Sequence, residues 1–122
     1  MRLKTMPFDF TVCKLSKIDK INLNSEFCFI GKTDEESSLV CLTENVPSNV
    51  KERDDGWKAF RIEGVLDFSM VGVLSAISGI LAENKIGIFA ISTFNTDYIL
   101  TKAESFQNAV EVLSVAGYEF IN

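Results

Sequence analysis

Two apolar runs separated by a polar patch stand out between Ile86 and Thr101. Ile86-Gly-Ile-Phe-Ala-Ile and Tyr98-Ile-Leu-Thr are β-rich, and Ser92, Thr93, Asn95, Thr96 and Asp97 between them are turn formers. The pattern predicts a hairpin of Ile86 to Phe94 and Asp97 to Lys102. Ahead of it, Met70 to Asn84 carries Val71, Leu74, Ile77 and Leu81 at steps of three and four, the apolar stripe of a helix. Gly72, Ser75, Ala76 and Gly79 keep part of that helix small enough for another backbone to approach. Asn84 and Lys85 end it. Trp57 to Glu63 reads as a strand and Gly64 to Ser69 as a loop, with Asp67 or Ser69 able to cap the helix. Beyond the hairpin, Phe106, Val110 and Leu113 mark a second helix over Glu104 to Ala116, stopped by Gly117. Tyr118 to Ile121 is a last strand. Strand, helix, hairpin, helix, strand is the order of a ferredoxin-like βαββαβ unit, whose last strand would lie antiparallel beside its first.

The first half is plainer. Phe8 to Leu15, Glu26 to Ile30 and Ser38 to Thr43 read as strands. Ser16 to Ser25 is a polar connector with room for a short helical turn at Ile18, Ile21 and Leu23, and Gly31 to Ser37 is a loop. Glu44 to Gly56 holds Pro47, two asparagines and the charged run Lys51-Glu-Arg-Asp-Asp55, so it reads as a connector between two units. The expected division is residues 1–55 and 56–122. The class is α+β: two ferredoxin-like units, the first with reduced helices, forming an antiparallel sheet with helices on one face. Sheet edges in such a fold need covering, and a homodimer is the expected means.

Composition narrows the functions. The chain has 122 residues, a net charge of −5 and 47% hydrophobic residues, enough for a real core. The acidic balance argues against nucleic acid and against an anionic membrane surface as partners. Four lysines near the start, Lys4, Lys14, Lys17 and Lys20, read more simply as strand-edge and turn residues than as a phosphate site. There is no histidine, which removes the commonest general base and transition-metal ligand. Cys13, Cys28 and Cys41 are odd in number, have no C-x-x-C spacing and sit among apolar neighbours. They read as buried free thiols rather than a disulfide framework or a metal site. No signal peptide or membrane span is visible, so a cytoplasmic protein without cofactor or metal is expected.

Gly56-Trp57, Gly64-Val-Leu-Asp-Phe-Ser69 and Phe89-Ala-Ile-Ser-Thr-Phe-Asn-Thr-Asp-Tyr-Ile-Leu100 resemble the ACT-domain family. The likeness is dense from Trp57 to Leu100 and looser from Phe8 to Glu44. It is nearest to a branch of small proteins with two ACT-like units in one chain, similar to the animal cytosolic arginine sensors. The resemblance implies a regulatory module that binds a free amino acid between units. It also implies that the ligand is held by the loop before the first helix and by the Ser-Thr-Phe-x-Thr-Asp segment. Here those positions are Asp67, Phe68, Ser69, Gly72, Thr93, Phe94 and Asp97.

The chemistry of an amino acid fits that assignment. Its carboxylate needs N–H donors such as a helix N-terminus offers, and its ammonium needs a carboxylate such as Asp67 or Asp97. Each residue also has a plainer reading. Asp67 and Ser69 serve equally as helix caps, Asp97 as a turn former, and Phe68 and Phe94 as core. Thr33-Asp-Glu-Glu36 reads either as a solvated turn or as a feature shared with the branch. No nucleophile–base pair, metal cluster or phosphate loop supports an enzyme. The stronger rival is a structural or protein-interaction module that binds no small molecule. In either case the regulated partner is not legible in the sequence.

Overall fold

The computed structural model describes residues 1–66 and 70–122. The chain divides into a larger unit, residues 1–7 and 58–122, and a smaller one, residues 8–57. Two long strands, β1 (Arg2–Leu15) and β4 (Val50–Ile62), each run from one unit into the other.

In the larger unit the chain continues from β4 through α1 (Val73–Glu83), β5 (Phe89–Ser92), β6 (Asp97–Lys102), α2 (Ala103–Val115) and β7 (Glu119–Ile121). β4 lies between β1 and β6, and β5 is beyond β6. The last strand is not antiparallel beside β4, as the ferredoxin-like order would have it. β7 pairs in parallel with Arg2–Lys4, because the start of β1 occupies that place: the Glu63 N–H donates to the Arg2 carbonyl at 2.9 Å. Residues 1–7 therefore belong with 58–122, where the sequence suggested a division at 55.

The core of this unit gathers Leu3, Phe60, Ile62, Ile77, Leu81, Ile99 and Leu113, each fully buried. Ile77 and Leu81 come from the stripe expected of α1, but Val71 does not join them; it precedes the helix and is 88% exposed. Phe60 meets Phe120 edge-on, with centroids 5.4 Å apart. Both helices pack on this core, and each ends in the same hydrogen-bonded turn. After α2, Gly117 (φ 106°) donates to Ser114 and Tyr118 to Leu113; after α1, Lys85 (φ 60°) donates to Ala82 and Ile86 to Leu81. This is the Schellman pattern, which requires a left-handed residue. Lysine takes that conformation at a cost that glycine avoids.

The smaller unit has the strand order β2-β3-β1-β4, with β2 (Cys28–Lys32) and β3 (Ser37–Leu42) forming a hairpin. A single 3₁₀ turn, Thr43–Asn45, is its helical content, and the connector 16–25 holds none. The charged run 51–55, read from sequence as a connector, lies inside β4. It is exposed from Lys51 to Gly56, and the real connector shrinks to residues 46–49. A strand carrying charge at every position cannot be told from a loop by periodicity. Inside the unit, Thr11 is fully buried and its hydroxyl donates to Asp55 Oδ1 at 2.7 Å and meets the Thr43 hydroxyl at 2.8 Å. Arg53 closes the network on the same Asp55 oxygen at 3.0 Å.

The two hairpins repeat each other at an interval of sixty residues. Phe29 faces Val40 as Phe89 faces Leu100, and Lys32 faces Ser37 as Ser92 faces Asp97. Their turns close alike, with the Thr33 N–H on the Glu36 carbonyl at 2.9 Å and the Thr93 N–H on the Thr96 carbonyl at 2.8 Å.

The three cysteines are free and share one apolar cluster with Leu15 and Leu39. Cys13 and Cys41 are buried; Cys28, opposite Cys41, is half-buried. Burial, reinforced by the neighbouring thiols, pushes Cys41 from 9.0 up to about 12, and burial also raises Cys13 and Cys28. Such thiols are poor nucleophiles.

Two outcomes follow. Lys85→Gly relieves the left-handed lysine and should raise unfolding free energy by about 0.5–1 kcal/mol in urea titration. The folded protein holds the Cys41 proton above pH 9, where the unfolded chain releases it. This stabilisation is full below that pH and is lost as pH climbs towards 12. Urea titrations from pH 8.5 upward should show stability falling more steeply in the wild type than in Cys41→Ala, by up to ~1.4 kcal/mol per pH unit.

Candidate functional site

The Thr93–Thr96 turn is built from its own polar groups. Besides the backbone bond between its ends, the Thr93 hydroxyl donates to the Thr96 carbonyl at 3.0 Å and receives the Thr96 N–H at 3.4 Å. The Thr96 hydroxyl points inward and donates to the Ile62 carbonyl at 2.7 Å, in a buried bond. The Leu66 N–H donates to the Asn95 carbonyl at 2.7 Å. The end of β4 and the loop behind it are thus tied to the turn on both sides.

A cavity of about 220 Å³ opens here, walled by Leu66 and Met70 on one side and by Ser92 to Asp97 on the other. Phe94 stands at its mouth, 79% exposed. Ser92 and Asp97 are the last facing pair of the hairpin, and the Ser92 hydroxyl donates to Asp97 Oδ1 at 2.5 Å. That bond orients the carboxylate, whose oxygens together have more acceptor capacity than one hydroxyl uses. Arg61, the last arginine of β4, is engaged elsewhere. Its Nη1 donates to the Tyr98 hydroxyl at 3.2 Å, its guanidinium lies 5.9 Å from that ring, and Glu63 is 3.5 Å away. The bond to Tyr98 raises its already high pKa, so its charge is permanent.

Of the residues expected to bind a ligand, the structure brings Thr93, Phe94 and Asp97 to this one cavity. Asp67, Phe68 and Ser69 lie outside the described residues. Gly72 is placed differently. It is the N-cap of α1 with φ 80°, and the capping roles expected of Asp67 and Ser69 lie outside the described residues. Gly72 lines a second, largely apolar cavity of about 410 Å³ with Val71, Val73, Ile80, Gly117 and Tyr118. A Cβ at Gly72 would meet nothing within 4 Å, so backbone conformation rather than crowding calls for glycine.

The wall residues Leu66 and Met70 were not singled out from the sequence. An apolar residue in a loop carries no signal of what it faces. Thr96 was read as an ordinary turn former, and its tether to Ile62 is a contact across 34 residues that no local pattern reveals. Among the described residues, no group of Cys, Asp and Glu is placed to hold a metal ion, and no helix is long and apolar enough to cross a membrane.

A family model of the ACT domain matches residues 52–115, more than half of the chain. A separate model, described as an N-terminal domain, matches residues 9–49. No curated protein matches the chain. Among solved structures, a structural-genomics protein from Agobacterium tumefaciens is similar at 30% identity and a TM-score of 0.86, over 98% of this chain and 91% of that one. A Vibrio cholerae protein of unknown function, named as a possible transport protein, is similar at 20% identity and a TM-score of 0.71, over 91% and 85%. The regulatory subunit of aspartate kinase from Thermus thermophilus has the same fold at 10% identity and a TM-score of 0.60, over 94% and 96%.

Thr96→Val should cost about 1–3 kcal/mol in chemical denaturation, because it leaves the buried Ile62 carbonyl without its donor. Ser92→Ala, at an exposed bond, should cost less than ~1 kcal/mol.

Proposed function

The chain belongs to the ACT-domain family, and we propose that it is a non-enzymatic regulatory module that binds a free amino acid and signals through a partner protein. The observation that carries the reading is the cavity at the Thr93–Thr96 turn, where a pre-oriented carboxylate, Asp97, sits beside an apolar wall. An ammonium group is what such a carboxylate pairs with, and charge-assisted bonds of this kind are about twice as strong as neutral ones. The regulatory subunit of aspartate kinase, with the same fold, supports a regulatory role by analogy.

The rest of the proposal is finer. Both units are ACT-like, the smaller one with its helices reduced to a loop and a 3₁₀ turn; the hairpins repeating at sixty residues support this. The branch is that of the paired units similar to the animal cytosolic arginine sensors. Asp67, Phe68 and Ser69 complete the site from the loop ahead of α1, and Gly72 contributes the backbone at its start. The protein works as a homodimer in the cytoplasm.

A second reading has an observation of its own. The hydroxyls of Thr93 and Thr96 and the carbonyl of Asn95 are all spent inside the structure. A turn so occupied also suits a purely structural or dimerisation module.

A thermal-shift screen of the wild type against the common amino acids separates the two. At a hundred times its Kd a ligand adds about 2.7 kcal/mol, several degrees in Tm for a chain of this size. The sensor reading expects a shift with one amino acid or one chemical class, lost in Asp97→Ala. A flat screen would leave the structural module standing.

A further inference from the structure

We infer that Cys28 and Cys41 are a redox-responsive pair, which a low-molecular-weight disulfide of the glutathione class joins across the β2–β3 hairpin and small thiols separate again. The register carries the inference. Cys28 on β2 stands directly opposite Cys41 on β3, and both are free thiols in the structure. The Thr33 N–H on the Glu36 carbonyl makes the turn ends a hydrogen-bonded pair, and the ladder runs without a bulge from Lys32 and Ser37 to Cys28 and Cys41. Hydrogen-bonded and non-hydrogen-bonded pairs alternate along an antiparallel ladder. Counting back from the turn, Cys28 and Cys41 fall on a non-hydrogen-bonded pair. At such a pair the Cα atoms are about 4.5 Å apart and the side chains are at their closest. A disulfide spans Cα separations of about 4.4–6.8 Å, so the ladder already holds these two thiols at bonding distance.

The third thiol shows why this pair and not another. Cys13 on β1 faces Leu39, and Cys41 faces Thr11, so Cys13 and Cys41 are diagonal neighbours. They share a side-chain hydrogen bond. Diagonal positions, however, have Cα atoms about 7–8 Å apart, which a disulfide reaches only if the backbone moves. Sixty residues on, in the matching hairpin, the positions of Cys28 and Cys41 are held by Ile88 and Thr101. The pair belongs to the smaller unit alone.

Access orders the chemistry. Cys41 is buried, and Cys28, half-buried, is the thiol that a reagent in water meets first. Its thiolate attacks one sulfur of the small disulfide RSSR. The S–S bond of the reagent breaks, a mixed disulfide forms on Cys28, and the departing RS⁻ takes up the proton that Cys28 released. The Cys41 sulfur then attacks the Cys28 sulfur, and its proton goes to the second RS⁻. Two protein thiols are oxidised and one RSSR is reduced to two RSH. Burial raises the pKa of both thiols, so thiolate is scarce and the exchange is slow, of the order of minutes to hours without a catalyst. The site therefore answers sustained oxidation and ignores brief exposure. β2 begins at Cys28, so the bond would fasten the end of the 16–27 connector to β3.

Peptide mapping of the full chain tests the inference. The folded protein is held at increasing ratios of glutathione disulfide to glutathione, quenched in acid, alkylated in denaturant and digested with trypsin. The cysteines fall on separate tryptic peptides, 5–14, 21–32 and 33–51. Peptides 21–32 and 33–51 should become joined as the ratio rises, Cys13 should remain alkylated, and dithiothreitol should separate the joined pair. Oxidation should raise Tm by several degrees, because the bond closes a loop in the unfolded chain. Cys41→Ser should stop at a glutathione adduct on Cys28; if that variant does not fold, the wild-type map decides alone. A join between 5–14 and 33–51, or a lasting glutathione adduct on Cys28 in the wild type, overturns the pairing. Joining that needs denaturant, a Tm that falls on oxidation, or three unreacted thiols at the most oxidising ratio overturns it as well.

Discussion

Two strands too long for one unit set the terms for everything else. β1 has 14 residues and β4 has 13, and every backbone N–H and C=O along them must find a partner or water. The smaller unit pairs β1 with β3; the larger pairs the first residues of β1 with β7 and the end of β4 with β6. Side chains alternate across a strand, so a slip of one residue in β1 would turn Cys13 and Leu15 out of the core of the smaller unit. In the larger unit, Leu3 from the start of β1 and Phe60 and Ile62 from the end of β4 are held in one core. The candidate site hangs from that end of β4 through Thr96 on Ile62 and Leu66 on Asn95.

The turn shows how few polar groups a small fold can spare for a ligand. Thr93 stands where a binding residue is expected, yet its hydroxyl, like that of Thr96, holds the turn together. Asp97 is different because its partner, Ser92, takes one bond from a group able to accept several. The described residues of the turn thus divide into those whose hydroxyls build it and Asp97, whose carboxylate keeps acceptor capacity.

Much of the larger unit was legible in the sequence. The stripe through Ile77 and Leu81, the stop at Gly117 and the hairpin at Ser92 to Asp97 are local patterns, and local geometry decides them. What was not legible depends on distant residues. The start of β1 displaces the expected partner of β7, and nothing within residues 2–7 announces a strand shared with residues 119–121. The charged run 51–55 is strand because β1 offers it a ladder, against its own composition. Thr93, Phe94 and Asp97, named through the resemblance, line one cavity because the hairpin turn holds them together. Gly72 belongs to another cavity, because α1 begins at Val73 and not near Met70.

The exposed charges of β4 bear on more than local pairing. Lys51, Glu52, Arg53, Asp54 and Asp55 sit on the terminal strand of the smaller unit, where an uncharged backbone would be a template for a further strand. A guard made of charge has a range set by the electrolyte: about 10 Å at 0.1 M ionic strength and about 3 Å at 1 M. In concentrated salt the field of these charges contracts almost to contact distance while the hydrogen-bonding capacity of the backbone is unchanged. The tendency of this strand to pair with another is thereby tied to the ionic strength of its surroundings, through a run in which Asp55 also holds the buried Thr11 hydroxyl.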